Sequence, residues 1–215
     1  PLVLVHGFLG SSEMWTLQTD FFKKNFRVLA PALPGFGKSN KINSCNSIEG
    51  MAKSILTSLE KKKIERFYLL GHSMGGMIAQ VFSLLYRKRT LGLLLCSTTS
   101  EQIASHLPSA ALIKDIYKMF IPKNKDSTLR DYRQTHYKYF KKMCGDLIEP
   151  DYLKKYSNKK YETMGVHPLE YKNGGDRQLI SITACPSRTF ALNLFQLLPI
   201  TRIPIHIIHG TKDTV

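Results

Sequence analysis

One stretch of this chain carries a serine in a setting that could break an acyl bond. GHSMGG, residues 71–76, places Ser73 between Gly71 and Gly75 with G-x-S-x-G spacing. The motif lies where an apolar run, RFYLLGHS, passes directly into the helical stretch MGGMIAQVFSLLYRK. A nucleophile on so sharp a strand-to-helix turn sits in strained backbone. Small residues two before and two after it let neighbouring chain pass close. The hydroxyl is pushed clear of the sheet, and the following helix turns its positive N-terminus toward the charge that develops on attack. Read blandly, the same letters are a Gly-rich helix start with a capping serine. The strand–turn–helix context favours the nucleophile.

A second stretch, VHGFLGSSEMW at residues 5–15, ends another apolar run with His-Gly. Backbone there can present an N–H to a reacting carbonyl oxygen. The expected donors are the N–H of Phe8 and the N–H of Met74, the residue after the serine. His6 is better read as a histidine that hydrogen-bonds locally to shape the loop than as a base. His72 is a poor base for Ser73, because adjacent strand-end side chains point apart. Near the end of the chain, IPIHII reads as a buried strand, and HGTKDTV as the loop that hangs the Asp213 carboxylate off it.

These residues need a frame. The first hundred residues alternate apolar runs with amphipathic ones. LVLVHG, FRVLAPALPG, RFYLLGHS and LGLLLCST read as strands. Between them, SSEMWTLQTDFFKK has Ser11 or Ser12 as N-cap and Trp15, Leu17, Phe21 and Phe22 as apolar positions. SIEGMAKSILTSLEKKK sets Ile48, Met51, Ile55 and Leu59 at helical spacing. Continuous apolar strands separated by such helices imply a parallel sheet covered on both faces. Residues 101–176 hold no convincing strand and several helical stretches, after which the α/β rhythm resumes. The expected organisation is one α/β domain (1–100 and 177–215) with a helical lid inserted at 101–176.

Composition narrows the class. A chain of 215 residues is enough for one domain with a full core. No apolar run reaches membrane-spanning length. Cys45, Cys96, Cys144 and Cys185 lie far apart with no CxxC pair, which argues against a metal site and a disulfide framework. Reduced thiols and a cytoplasmic setting are expected. The formal charge of +15 is spread, +8 over residues 1–100, +4 over 101–176 and +3 over 177–215. A nucleic-acid binder would show a basic stripe with interleaved aromatics. The densest run, EKKKIER at 60–66, reads as a solvated helix end and turn.

Taken in order, HGFLGSSEMW, PALPGFGKS, GHSMGG and HGTKD resemble the α/β-hydrolase superfamily, and within it the helical-cap branch of carboxylesterases, enol-lactonases and prolyl aminopeptidases. The resemblance covers nearly the whole chain. It implies a doubly wound, mostly parallel sheet and a Ser–acid–His triad in that chain order. Ser73 matches the nucleophile, Phe8 and Met74 the oxyanion-hole positions, and Asp213 the acid that orients a histidine. Ala32 stands where many relatives carry an acidic residue, a position read as structural. None of the seven histidines follows Asp213. His206 and His209 precede it, and His106, His136 and His167 fall in the lid, where His136 or His167 would be the substitute base. The expectation is a chain cut at both ends, with the last strand and the histidine loop beyond Val215 and this fragment nearly inactive alone.

The expected function is a serine hydrolase that cleaves an ester, thioester or related acyl bond through an acyl-enzyme on Ser73, with no cofactor and no metal. Two alternatives stay open: a non-catalytic binding protein on the same fold, and a lyase or synthase with the same triad. The expected partner is a small acyl substrate, not nucleic acid. Arg130, Arg133, Lys138, Lys141 and Lys142, beside Tyr132, Tyr137, Tyr139 and Phe140, give the lid a basic, aromatic character similar to that of pimeloyl-carrier-protein methyl esterases. An acidic carrier protein is therefore a further possible partner, weighed against a simply solvated helix.

Overall fold

The computed structural model describes residues 1–8, 10–36, 39, 47–99, 178 and 197–210. The lid expected over 101–176 and the Asp213 loop lie outside the described residues. Among the described residues, five strands form a parallel sheet: β1 (Leu2–Val5), β2 (Val28–Leu29), β3 (Phe67–His72), β4 (Thr90–Cys96) and β5 (Ile205–Ile208). Their order across the sheet is β2-β1-β3-β4-β5. β1 pairs with both β2 and β3, Val3 opposite Leu29 on one side and Leu69 on the other.

The apolar strands are explained by cover on two faces. Val3, Val5, Leu69, Leu93 and Leu95 meet α2 (Ile48–Lys61) and α3 (Met74–Leu85) in the larger core cluster. Leu2, Leu4 and Leu70 point the other way and pack with Trp15. Each such side chain taken out of water contributes about 1.5–3 kcal/mol. Helix α2 follows its sequence pattern: Ile48, Met51, Ile55 and Leu59 are buried, and the Ser47 hydroxyl caps its start by accepting the Gly50 N–H at 3.0 Å. The basic run after it ends the helix at Lys61 and leaves Lys62 and Lys63 exposed.

Two local readings need correction. The segment after β1 is a 3₁₀ turn (Ser12–Trp15) followed by a short helix, α1 (Thr16–Phe22). Ser11 precedes the turn without making a side-chain cap bond. The tighter winding changes the phase of the apolar residues, so Trp15 is buried while Leu17 and Phe21 are 51% and 68% exposed. The second correction concerns β5. IPIHII was expected to be a buried strand, yet Ile207 and Ile208 are 58% and 59% exposed. Among the described residues β5 is an outer strand of the sheet, with β4 as its one strand neighbour. A strand covered on one side only keeps much of its surface in water. No helix among the described residues is long and apolar enough to cross a membrane.

The strand order fixes where a site can form. After β1 the chain runs outward to β2 and then crosses back to β3, on the opposite side of β1. In open parallel sheets this reversal leaves a crevice outside the carboxyl ends of the two central strands. The residues at those two ends are His6-Gly7-Phe8 and His72-Ser73.

Candidate active site

Ser73 stands alone between β3 and α3, at φ 52° and ψ −125°. A residue with a Cβ rarely adopts this conformation, so the turn holds backbone strain. Three glycines make the turn possible by what they lack. A Cβ on Gly71 would fall on the Gly75 carbonyl oxygen and lie 2.6 Å from the Gly76 Cα. One on Gly75 would fall on the Val5 carbonyl oxygen and lie 2.6 Å from that of His6. One on Gly76 would lie 2.5 Å from the Thr98 side chain. The first turn of α3 is thus pressed against the end of β1 on one side and the segment after β4 on the other.

Hydrogen bonds hold the same turn. The Ser73 N–H donates to the Cys96 carbonyl at 3.0 Å. The Ser73 carbonyl accepts the Gly76 and Met77 N–H groups at 2.8 and 3.3 Å and the Thr98 hydroxyl at 2.7 Å. Buried Gln80 donates its amide to the carbonyls of Gly76 and Thr99, at 3.2 and 2.9 Å. Gly76, Thr98 and Gln80 were not among the expected site residues. The doubled glycine in SMGG and the hydroxyl pair in CSTTS were the available signals. Both look unremarkable until β4 is placed beside β3.

The His-Gly loop borders the serine. A Cβ on Gly7 would lie 3.1 Å from the Ser73 Cβ, which places the Gly7–Phe8 peptide beside the serine turn. Met74 opens α3, so its N–H has no acceptor within the helix. His6 is fully buried. Its Nε2 accepts the Leu33 N–H at 3.2 Å, which leaves Nδ1 to carry the proton and donate to the Gly7 carbonyl at 3.0 Å. Both ring nitrogens are therefore occupied in shaping the loop, as the sequence suggested. The ring also meets Phe36 edge-on, so His6 ties HGF to PALPGF. His72 packs edge-on against Trp15, with ring centroids 6.5 Å apart. Burial pushes the Cys96 thiol, opposite His72 in the sheet, above its ordinary value.

Of the expected site residues, Gly71, Ser73, Met74 and Gly75 share the passage from β3 into α3, and Phe8 follows Gly7, which faces that turn. Asp213, with His106, His136 and His167, lies outside the described residues. Among the described residues, no group of three or more His, Cys, Asp or Glu gathers in a way that could hold a metal ion.

A family model for the alpha/beta hydrolase fold matches residues 1–215. Among curated proteins, the chain is 33% identical over 99 residues to a 1-acylglycerol-3-phosphate O-acyltransferase, ABHD5, of Rattus norvegicus, over 44% of this chain and 28% of that one. It is 35% identical over 99 residues to a (Lyso)-N-acylphosphatidylethanolamine lipase of Bos taurus, over 44% of this chain and 29% of that one. The matched stretch thus spans less than a third of either relative. Among solved structures, a thermophilic esterase from Thermogutta terrifontis superposes with a TM-score of 0.67 at 24% identity, over 98% of this chain and 71% of that one.

Proposed function

The chain belongs to the alpha/beta hydrolase fold family, and we propose that it is a serine hydrolase that cleaves a carboxylic ester or related acyl bond. The observation that carries the reading is Ser73: a strained serine at the switch point of the sheet, with Gly7 against its Cβ and the first turn of α3 behind it. Its Oγ attacks the acyl carbonyl, and a histidine oriented by Asp213 takes the proton. That base is assigned outside the described residues: His6 has both nitrogens engaged, His72 adjoins Ser73 at a strand end where neighbouring side chains point apart, and His206 and His209 belong to β5 and the residues just after it, before Asp213. The N–H groups of Phe8 and Met74 receive the oxyanion, aided by the N-terminus of α3. Collapse of the tetrahedral intermediate expels the alcohol and leaves the acyl group on Ser73, and water then releases the acid.

An acyl-enzyme can also pass its acyl group to an alcohol. That is the activity in the name of the rat relative, and it is the second reading. The two share every step up to the acyl-enzyme and differ only in which acceptor enters.

The test is labelling by a fluorophosphonate probe, read by mass spectrometry, beside hydrolysis of p-nitrophenyl butyrate. Wild-type protein is expected to carry the label on Ser73. Ser73→Ala, shown folded by circular dichroism, is expected to lose both label and turnover, by about a thousandfold or more for the latter. Folded protein that includes a base for Ser73 yet is neither labelled nor active would refute the hydrolase in favour of a binding protein; inactivity of residues 1–215 alone would not. Ser73→Ala with undiminished turnover would refute the assignment of the nucleophile.

A further inference from the structure

A second concave site lies at the opposite ends of the strands. It is a groove of about 870 Å³ at the amino ends of β3, β4 and β5. Ser73 sits at their carboxyl ends. The six residues of β3 separate the two sites by about 20 Å, so the groove is no part of the catalytic crevice. Its volume falls in the range of small-molecule pockets.

Its lining is strongly one-signed. Arg66, Arg87, Lys88, Arg89 and Arg202 border it, and none of the described residues lining it is acidic. Arg89 is committed to the wall: it donates to the Ile64 carbonyl at 2.8 Å and stands 3.9 Å from the Glu60 carboxylate. Among the described residues, Arg66, Arg87, Lys88 and Arg202 have no carboxylate partner. Three separate segments bring them together: the approach to β3, the 3₁₀ turn Arg87–Arg89, and Arg202 just before β5. Arg202 holds a left-handed backbone, φ 54°, where glycine would be easier.

Thr90, 4% exposed, also lines the groove, and its hydroxyl oxygen, itself out of contact with solvent, has no hydrogen-bond partner among the described residues. A buried hydroxyl without a partner is costly and calls for an explanation. Planar guanidinium forks around a concave surface can each pair with two acceptor oxygens of a tetrahedral phosphate.

We infer that this groove binds a phosphate-bearing ligand through Arg66, Arg87, Lys88 and Arg202. The inference stands independently of the ester-cleaving reading. The phosphate could belong to a soluble metabolite or to a lipid headgroup, and the experiment separates the two.

Pyrophosphate is titrated into the protein by calorimetry at low salt. Separately, the protein is co-sedimented with vesicles of phosphatidylcholine and phosphatidic acid. Both are repeated with Arg87→Ala/Arg202→Gly, in which the glycine keeps the left-handed backbone. A control, Lys24→Ala/Lys53→Ala, removes two exposed charges elsewhere. Binding weakened about tenfold or more by the groove variant, and less than twofold by the control, is the expected result. Such groove-dependent loss with pyrophosphate identifies a soluble ligand, and the same loss with vesicles alone identifies a headgroup. The inference is overturned if neither probe binds, if binding ignores the groove variant, or if both variants weaken it equally.

Discussion

Replacing Ser73 by glycine and by alanine separates the strain in the serine turn from its chemistry. Both variants lose the hydroxyl, but alanine keeps the Cβ at φ 52° and ψ −125°, where it also faces Gly7. Strain at such a position costs about 1–3 kcal/mol. Glycine relieves it, while its extra freedom in the unfolded chain costs about 0.5–1 kcal/mol. Ser73→Gly should therefore be more stable than Ser73→Ala by up to about 2.5 kcal/mol, with a central value of about 1.3 kcal/mol. In a chain of 215 residues, each 1 kcal/mol moves Tm by about 2–4 °C. The expected gap is near 4 °C in favour of glycine, read by thermal denaturation followed by circular dichroism and supported by urea midpoints. Both variants should be equally inactive toward p-nitrophenyl butyrate. A Ser73→Gly protein that melts at or below Ser73→Ala would refute the argument that this turn stores strain.

Gly75→Ala sets a methyl group on the Val5 and His6 carbonyl oxygens, backbone atoms that cannot rotate away; a loss of about 3 kcal/mol or more is expected, visible as insoluble protein or a Tm lowered by roughly 10 °C. Thr98→Val removes the bond to the Ser73 carbonyl and nearly keeps the shape against Gly76. It should cost about 1 kcal/mol by urea denaturation and lower turnover more than it raises KM. His6→Ala leaves the buried Leu33 N–H without its acceptor and opens a cavity, so a loss of about 2–4 kcal/mol is expected in the same assay. The Cys96 thiol is raised above its ordinary 9.0 by burial. In the unfolded chain it ionises first, so its contribution to stability is complete below pH 9 and declines above it. The difference in stability between wild type and Cys96→Ala should shrink as pH rises past 9; a difference flat to pH 11 would contradict the burial.

The sequence by itself determined the elements closest to the serine. GHSMGG could be read because its chemistry is local: a nucleophile, a turn and a helix start fall within six residues, and the strand before them is apolar throughout. Helix α2 was legible for the same reason, since its cap and its buried face repeat along one short segment. Only the tertiary structure decided what surrounds that turn. Gly7 meets Ser73 because β1 lies beside β3, 66 residues apart in the chain. Thr98 and Gln80 brace the serine because β4 lies on the other side. His6 is a structural residue because PALPGF returns to cover it. The exposure of Leu17, Phe21, Ile207 and Ile208 was equally beyond the sequence. An apolar residue carries its periodicity with it, but whether a neighbour covers it depends on pairings between distant segments. The basic groove has the same origin, since residues near 66, 88 and 202 meet only when three parallel strands begin side by side.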